Sequence, residues 1–511
     1  MIQQHAFDMT RPAHPSGVHR DGPRPPRGPG ALALLLCACG WSAQALAADR
    51  FEDVRQFIRE ELVRQSVPSI SVAVAKDGRI LWEEGFGWAD REQRRLADEH
   101  TMYSLASISK PITGTGLMTL VQAGKIDLDR PADDYLGSAK LRARVGDARE
   151  ATVRRVANHT SGLPLHAQFF YADEPYARPS MDETILRYGN LIAAPGERYA
   201  YSNLGYGILD YIIERASGQR YADYMRREVF VPLGLTRTSV DIGPGLEAFT
   251  ATRYGPDGLP IPFYDFDHPG ASAVFSSAHD LVRYGMFNLK AHLPDQRAIL
   301  SDASIDEMHR RTSDGWADSG YSVGFAVRTV GGHRLVEHSG GMGGVSTQMQ
   351  LFPDEGLAVV VLSNSRNDLP FQVADKVVAK LLPGWAGVPR KPWSPPAFVM
   401  TPQLLGTWKG TLSTYVGDIP VELRFLPGGD VHAVFADQLP TLVDQPYLEG
   451  DVFHGSLNAR IGTPDTERQR YTVALSLKLR GDVMNGAAEA MGSDKTRVGN
   501  ALTHWIELSR Q

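Results

Sequence analysis

Three short segments, far apart in the chain, carry residue types that together can perform nucleophilic catalysis. Ser107 stands three residues before Lys110, Tyr201 stands two residues before Asn203, and the segment His338-Ser339-Gly340 follows much later. Positions i and i+3 share one face of a helix, which would place the lysine amine beside the serine hydroxyl. A hydroxyl is a weak nucleophile near neutral pH and needs an adjacent base, and Lys110 and Tyr201 are both candidates.

Each of these residues also has an ordinary structural interpretation. Ser107 could cap a helix, Lys110 could be an exposed helix lysine, and Tyr201 and Asn203 could be loop residues. His338 could be a histidine satisfied within the core. The glycines that follow it could form a flexible loop or admit a substrate against a strand edge; they are Gly340, Gly341, Gly343 and Gly344. The combination and order of the three segments favour catalysis.

The helix that carries Lys110 has a core-facing pattern. Residues with core spacing recur along it at Thr113, Leu117, Leu120, Val121 and Gly124. Pro111 is tolerated only near the first turn of a helix. Ser107 is therefore expected at or near the helix N-terminus, where the helix dipole favours developing negative charge.

The patterns around these segments predict an antiparallel sheet covered by helices. Residues 51–65 have the spacing of an amphipathic helix, and residues 70–75 alternate like a strand before the turn Asp77-Gly78 and a second strand. Residues 348–352 alternate again, and the apolar run 357–362 indicates a strand buried on both faces. Hairpins at both ends with helices between them favour an α+β fold.

A second unit is predicted towards the C-terminus. A helix with Pro370 near its start ends at Pro383-Gly384, and a Pro-rich linker over 386–401 follows. Residues 402–511 contain alternating segments separated by glycine turns, which predicts six to eight strands in a small all-β barrel or sandwich, of which we expect the barrel. The first unit, which carries the three segments, is therefore predicted to span 48–385.

The N-terminus has the pattern of an exported protein. Arginines precede the apolar stretch 31–38, and Ala45-Leu46-Ala47 offers a cleavage site, so 1–47 is predicted to be a signal peptide and the mature protein periplasmic or secreted. The stretch is too short for a membrane-spanning anchor. A disordered tail is one alternative, and a lipid anchor at Cys39 is another.

Composition excludes several functional classes. The formal net charge is −6 with no long basic run, which argues against nucleic acid or an acidic membrane surface as partner. Both cysteines, Cys37 and Cys39, lie in the leader, so a disulfide framework or a cysteine metal site is not expected. His159 with His166, or His333 with His338, lack a carboxylate at metal-ligand spacing, and no phosphate-binding loop is recognisable. We therefore expect no metal and no cofactor.

One competing motif is Gly320-Tyr321-Ser322-Val323-Gly324, which fits the G-x-S-x-G nucleophile elbow. That elbow requires a strand before the serine and a helix after it. Here the preceding residues 311–319 are polar, and the following residues 325–330 alternate like a strand. We interpret the match as coincidence.

The three segments together resemble the serine β-lactamase and D-alanyl-D-alanine peptidase superfamily, in the branch around class C β-lactamases and related esterases. Similar supporting segments are 158–164, 276–281 and 352–356, and the resemblance spans about 52–383. It implies a β-lactamase/transpeptidase-like fold in which the sheet is joined by a helical subdomain. The start of the C-terminal unit, Gly406-Thr407-Trp408, resembles lipocalin-like barrels.

The resemblance also implies roles for the residues. Ser107 would be acylated, Lys110 and Tyr201 would share the proton transfers, and Asn203 would hold the Lys110 amine or a substrate amide. The substrate edge would be His338, Ser339, Gly340 and Gly341, with backbone N–H groups of Ser107 and Gly341 binding the oxyanion. Which of Lys110 and Tyr201 is the base stays open.

A histidine at 338 replaces the cationic lysine of many members, and no counterpart of the extra class A glutamate is found. The sequence therefore favours an esterase or amide hydrolase, including a D-peptidase, over a fast β-lactamase. One rival interpretation is a penicillin-binding, acyl-capturing sensor without turnover. Another is a lipid carrier whose function lies in the barrel.

Overall fold

The computed structural model describes residues 50–315, 319–390, 394–493 and 497–511, which belong to one compact unit of the chain. The predicted signal peptide 1–47, with Cys37 and Cys39, lies outside the described residues, as does part of the predicted linker 386–401. The described part of that linker contains no helix or strand. No helix in the described ranges is long and apolar enough to cross a bilayer.

The helices of the described chain follow the periodicity and the capping signals of the sequence. Pro370 occupies the first turn of its helix, and Ser180, Ser202 and Ser277 each accept a backbone N–H at a helix start. The bounds are α1 Glu52–Arg64, α2 Ser109–Gln122, α3 Val153–Ala157, α4 Met181–Tyr188, α5 Asn203–Ser217, α6 Tyr221–Met225, α7 Pro269–Ser272, α8 Ala278–Asn288, α9 Asp302–Met308 and α10 Leu369–Leu381.

The predicted antiparallel sheet is confirmed, and it has nine strands among the described residues. Their bounds are β1 Ser69–Lys76, β2 Arg79–Asp90, β3 Arg95–Leu96, β11 Ser313–Asp314, β12 Gly320–Tyr321, β13 Ala326–Val330, β14 His333–Met342, β15 Val345–Phe352 and β16 Leu357–Ser363. They lie in the order β11-β12-β13-β14-β15-β16-β1-β2-β3. The short strands between β3 and β11 in the chain are β4 Tyr103–Ser104, β5 Arg142–Ala143, β6 Phe169–Tyr171, β7 Asn190–Leu191, β8 Thr238–Val240, β9 Tyr264–Phe266 and β10 Val274–Ser276.

Helices cover both faces of this sheet. Val72, Val359 and Val361 belong to the cluster that packs against α1 and α10, whereas Ala73 and Val360 belong to the core on the opposite face. Both faces of β1 and β16 are therefore buried, as predicted for 357–362. The single core-facing stripe predicted for α2 is too narrow, because every residue from 109 to 118 is buried. The helix enters the core as a whole, and this buries Lys110.

The C-terminal region forms a nearly closed barrel-like sheet, to which the described part of the chain contributes nine further strands. The strands are β17 Gly406–Thr414, β18 Gly417–Phe425, β19 Val431–Phe435, β20 Thr441–Leu442, β21 Asp444–Glu449, β22 Val452–Leu457, β23 Tyr471–Arg480, β24 Val483–Gly492 and β25 Ala501–Arg510. Their order in the sheet is β20-β19-β18-β17-β25-β24-β23-β22-β21. The prediction of six to eight strands was too low, because β20 has two residues and β21 is polar, so neither gives a hydrophobic alternation. Trp408, Leu423, Phe453 and Ile506 are buried core residues of this sheet.

Asp465 joins this barrel to the helical region. Its carboxylate accepts hydrogen bonds from Tyr188 Oη at 2.7 Å, Arg187 Nη1 at 2.9 Å and Tyr415 Oη at 2.9 Å. Burial alone would raise the pKa of this carboxyl, but the Tyr188 hydrogen bond and the Arg187 charge lower it below its ordinary value. Since Arg187 and Tyr188 belong to α4, one buried carboxylate links the two regions.

We expect Asp465→Ala to destabilise the protein by about 3 kcal/mol, because two tyrosine hydroxyls lose a buried acceptor and Arg187 loses one of its two carboxylate partners. Urea unfolding followed by fluorescence measures this loss. The matched control is Glu467→Ala, two residues after Asp465. It removes the ion-pair partner of the exposed Arg460 and should leave the urea midpoint unchanged. Equal midpoints for the two variants would contradict the role of Asp465.

Candidate active site

Ser107 lies in a short 3-10 turn, Ala106–Ile108, that leads directly into α2. This confirms the expected position near the helix N-terminus. The turn is fixed against β10, because Leu105 donates its N–H to Val274 O at 2.9 Å and Ser109 Oγ accepts from Val274 N at 3.0 Å. Ala106 adopts φ +49°, an unfavourable region for a residue with a Cβ, immediately before Ser107.

The Lys110 amine meets three oxygen atoms. Lys110 Nζ lies 3.2 Å from Ser107 Oγ, 2.8 Å from Asn203 Oδ1 and 3.2 Å from the carbonyl oxygen of Ala271. The side chain has 0% exposure. Burial lowers the pKa of this amine well below its ordinary value of 10.5.

Tyr201 and Asn203 reach the same place from the start of α5. Between them, Ser202 has an extended backbone and caps the helix, accepting the N–H of Gly205 at 2.9 Å. In an extended segment the side chains of residues i and i+2 point to one side, which explains the spacing of Tyr201 and Asn203. The Tyr201 hydroxyl hydrogen-bonds the Ser107 side chain, and its ring centroid lies 4.7 Å from Lys110 Nζ.

The Tyr201 phenol is held in its protonated form. Burial raises its pKa above the ordinary value of 10, although the hydrogen bond with Ser107 opposes the shift. Near neutral pH this hydroxyl therefore carries a proton beside the Ser107 oxygen.

His338 is buried on β14 and is hydrogen-bonded to Tyr321. Its Nε2 accepts from Tyr321 Oη at 2.8 Å, and its Nδ1 donates to the carbonyl oxygen of Ser339 at 2.7 Å. Burial, and after it the nearby Lys110, lowers the pKa of His338 to about 3. The imidazole is thus neutral near pH 7.

The segment from Ser339 to Gly341 pairs with β15 along one edge only. Strand β13 pairs with β14 only from His333 to Glu337, so beyond that point no described strand pairs with its other edge. A Cβ at Gly340 would lie 2.1 Å from Leu105 O, so only glycine lets β14 approach the turn that carries Ser107. Ser339 and Gly341 are exposed.

Two cavities adjoin this edge. One of about 320 Å³ is lined by Tyr199, Tyr201, Tyr321, His338 and Ser339, among others. A second of about 840 Å³ is lined on one side by the segment 341–344. A small molecule could therefore reach the segment 339–341 from the cavity beside His338 or from the cavity beside Gly341.

Sequence reasoning missed an aromatic group beside the site. Tyr206 and Tyr321 are buried, Tyr199 is half-buried, and all three surround His159 with ring centroids 4.5–5.7 Å from its imidazole. His159 lies in the segment 158–164 that supported the resemblance, so a signal was present. Tyr321 belongs to the G-x-S-x-G match.

Ser322, the serine of that match, is buried and bonded to backbone. Its Oγ donates to Phe325 O at 3.1 Å, and the residues after it enter β13 rather than a helix. Its surroundings are thus not those of a nucleophile elbow.

His166, Asp267 and His268 form a buried cluster that the sequence analysis did not identify. Asp267 accepts from His166 Nε2 at 2.7 Å and from His268 Nδ1 at 2.6 Å. One potential ligand atom from each residue lies within 4.8 Å of the others, so the group could hold a metal ion. The same contacts satisfy the carboxylate without an ion.

Two curated relatives match about three fifths of the chain. Penicillin-binding protein 4* of Bacillus subtilis is 28% identical over 326 residues, which are 60% of this chain and 70% of that protein. Unguisins hydrolase ungD' of Aspergillus campestris is 27% identical over 334 residues, which are 61% of each protein. The match thus spans less than two thirds of the second relative.

Solved structures share the fold. The octameric penicillin-binding protein homologue from Pyrococcus abyssi superposes with a TM-score of 0.58 and 24% identity, over 85% of this chain and 97% of that one. A class C beta-lactamase superposes with a TM-score of 0.57 and 18% identity, over 65% of this chain and 97% of the other. A sequence profile of the Beta-lactamase family matches residues 54–382. This match covers more than half of the chain and contains all three segments of the site, and the chain therefore belongs to the Beta-lactamase family.

Proposed function

We propose that this protein is a serine hydrolase that cleaves an ester or amide bond of a small molecule through a covalent acyl-enzyme on Ser107. The observation that carries this proposal is the buried Lys110 amine, which contacts the Ser107 oxygen while no acidic side chain of the described residues pairs with it. A buried amine without a counter-ion loses its proton readily, and a neutral amine is a base.

The hydrogen bonds of Lys110 suit a neutral base. A neutral amine has two N–H donors and one lone pair. The two neighbours that can only accept are Asn203 Oδ1 and the carbonyl oxygen of Ala271, so the N–H groups point to them. The lone pair is then left for the Ser107 hydroxyl. We therefore assign Lys110 as the base, and the high pKa of Tyr201 makes a tyrosinate base less favourable.

In the proposed acylation, the Ser107 proton moves to Lys110 Nζ while Ser107 Oγ bonds to the carbonyl carbon. The carbonyl π electrons move to oxygen, and the oxyanion would accept from the N–H groups of Ser107 and Gly341. Preorganised donors of this kind contribute about 2.7–4 kcal/mol each to transition-state stabilisation.

Tyr201 is the proposed acid. It would donate its proton to the departing oxygen or nitrogen as the carbonyl re-forms, and the Lys110 ammonium would return a proton to the phenolate. Hydrolysis of the acyl-enzyme would reverse these roles, with water in place of the leaving group. Both groups then end in their starting protonation states.

The substrate edge is proposed to comprise His338, Ser339, Gly340 and Gly341, with Asn203 holding the Lys110 amine. Because His338 is neutral near pH 7, it offers a hydrogen-bonding ring and no positive charge. The third segment would therefore not attract an acidic substrate as a lysine would. Esters, amides and D-peptides are the substrate classes that we propose, and the chemistry needs no cofactor.

We also propose export to the periplasm or beyond through the leader 1–47, with a hydrolase domain over 48–385, a linker over 386–401 and a lipocalin-like barrel over 402–511. The leader pattern supports the location. The separate nine-stranded sheets support the division.

Ser107 is expected to be the residue that forms the adduct. Intact-mass spectrometry after treatment with a fluorophosphonate should show one adduct on the wild type and none on Ser107→Ala. Ser322→Ala, which removes the serine of the G-x-S-x-G match, should still be labelled. Labelling of Ser107→Ala would refute the assignment of the nucleophile.

Turnover separates a hydrolase from an acyl-capturing sensor, since both would form the adduct. We expect p-nitrophenyl ester hydrolysis to continue for many equivalents per enzyme. A burst of one equivalent that then stops would instead support the sensor.

The lowered pKa of Lys110 predicts a pH dependence of stability. Between the lowered pKa and 10.5 the unfolded chain binds one more proton than the folded protein, so stability rises with pH over that window. Lys110→Met lacks this group. The unfolding free energy of wild type minus that of Lys110→Met should increase from pH 7 to pH 10 by up to ~1.4 kcal/mol per pH unit.

Urea unfolding at a series of pH values measures this difference. The same substitution should lower kcat/KM for esters by about 10²–10⁴-fold, the range for loss of a general base. A difference in unfolding free energy that does not change with pH would show that the buried amine keeps its proton.

A further inference from the structure

His159 contacts the backbone on both sides of Tyr201. Its carbonyl oxygen accepts the N–H of Ala200 at 2.8 Å, and its ring atom Nδ1 accepts the N–H of Ser202 at 3.1 Å. Its imidazole also lies 4.4 Å from the Tyr201 ring, centroid to centroid. One residue therefore fixes the backbone before and after Tyr201 and contacts its side chain.

These contacts determine the tautomer of His159. Since Nδ1 accepts a hydrogen bond, the hydrogen of the neutral ring is on Nε2. Nε2 is buried and has no hydrogen-bond partner among the described residues, and it lies among tyrosine rings. Burial is the main cause that lowers the pKa of His159 well below its ordinary value. The ring thus keeps the lone pair that receives the Ser202 N–H.

The backbone of His159 is itself unusual. It adopts φ +64°, a left-handed conformation that favours glycine and asparagine over other residues. In this conformation its carbonyl oxygen accepts from residue 200 while its ring accepts from residue 202. The side chain is 1% exposed, so the arrangement is locked within the core.

We propose that His159 is a positioning residue, which holds the Tyr201 hydroxyl at the distance where it can protonate the leaving group. The inference rests on the proposed function, in which Tyr201 is the acid. His159 has no assigned contact with the reacting atoms and acts through Tyr201. Its loss should therefore matter most for substrates whose leaving group needs a proton.

Two substitutions separate this role from simple packing. His159→Asn and His159→Gly both introduce a residue that tolerates the left-handed backbone, and both remove the ring. The Oδ1 of asparagine is the same number of covalent bonds from Cα as the Nδ1 of histidine. Of the two variants, only His159→Asn can therefore still accept the Ser202 N–H. A loss of stability from the missing ring is common to both variants and is checked by thermal unfolding.

The experiment compares kcat/KM, which reports acylation, for ethyl butyrate and p-nitrophenyl butyrate. p-Nitrophenolate leaves without a proton, whereas ethoxide requires one. We expect Tyr201→Phe to lose about 10²–10⁴-fold on the ethyl ester, the range for a general acid, and far less on the p-nitrophenyl ester. His159→Gly should lose at least about tenfold on the ethyl ester with a change below about threefold on the other, and His159→Asn should recover most of this loss.

The outcomes distinguish the two levels of the proposal. If Tyr201→Phe is selective for the ethyl ester but the two His159 variants behave alike, or lose both activities equally, the positioning role is wrong and the proposed acid stands. If Tyr201→Phe affects both esters equally, the acid assignment fails, and the positioning role fails with it. Recovery in His159→Asn alone supports the inference.

Discussion

The constraint on which the site depends is a lysine amine buried without a counter-ion. An ammonium in such a place lacks the hydration that stabilises it in water, so the protein must either supply a carboxylate or accept the neutral form. It supplies the neutral oxygens of Asn203 and Ala271 instead. The hydrogen bonds of Lys110 Nζ, which belongs to α2, therefore hold the start of α5 and α7 beside it. The convergence of distant segments and the basicity of the amine therefore have the same cause.

The groups around this amine avoid adding charge. Tyr201 keeps its proton, and His338 and His159 are neutral because burial lowers the pKa of both rings. A positive ring beside Lys110 would lower its basicity further, and a carboxylate would keep it protonated. Neutral aromatic side chains do neither. The hydrogen bonds among them set orientations while the local charge remains close to zero.

The sequence predicts much of this arrangement where local signals are strong. The hairpin of β1 and β2, the buried β16, and the placement of Ser107 before a helix are confirmed, because alternation, turn residues and Pro111 act locally. The contacts of Lys110 with Asn203 and Ala271 link segments far apart in the chain and depend on packing. Tyr321 shows the limit most clearly, since its motif pointed to Ser322 and its hydroxyl instead bonds His338.

The barrel contacts the segment of the chain that leads to Tyr201. Ala167 exchanges backbone hydrogen bonds with Ala501, Arg187 and Tyr188 bind Asp465, and Glu197 pairs with Lys478 and Arg480. All of these hydrolase residues precede Tyr201 within the segment 165–201, which contains few long elements. Large side chains such as Trp408 and Phe453 occupy the core of the barrel. The segment that ends at Tyr201 is therefore bonded to the barrel at several points, so its position depends on the barrel as well as on the elements that carry the site.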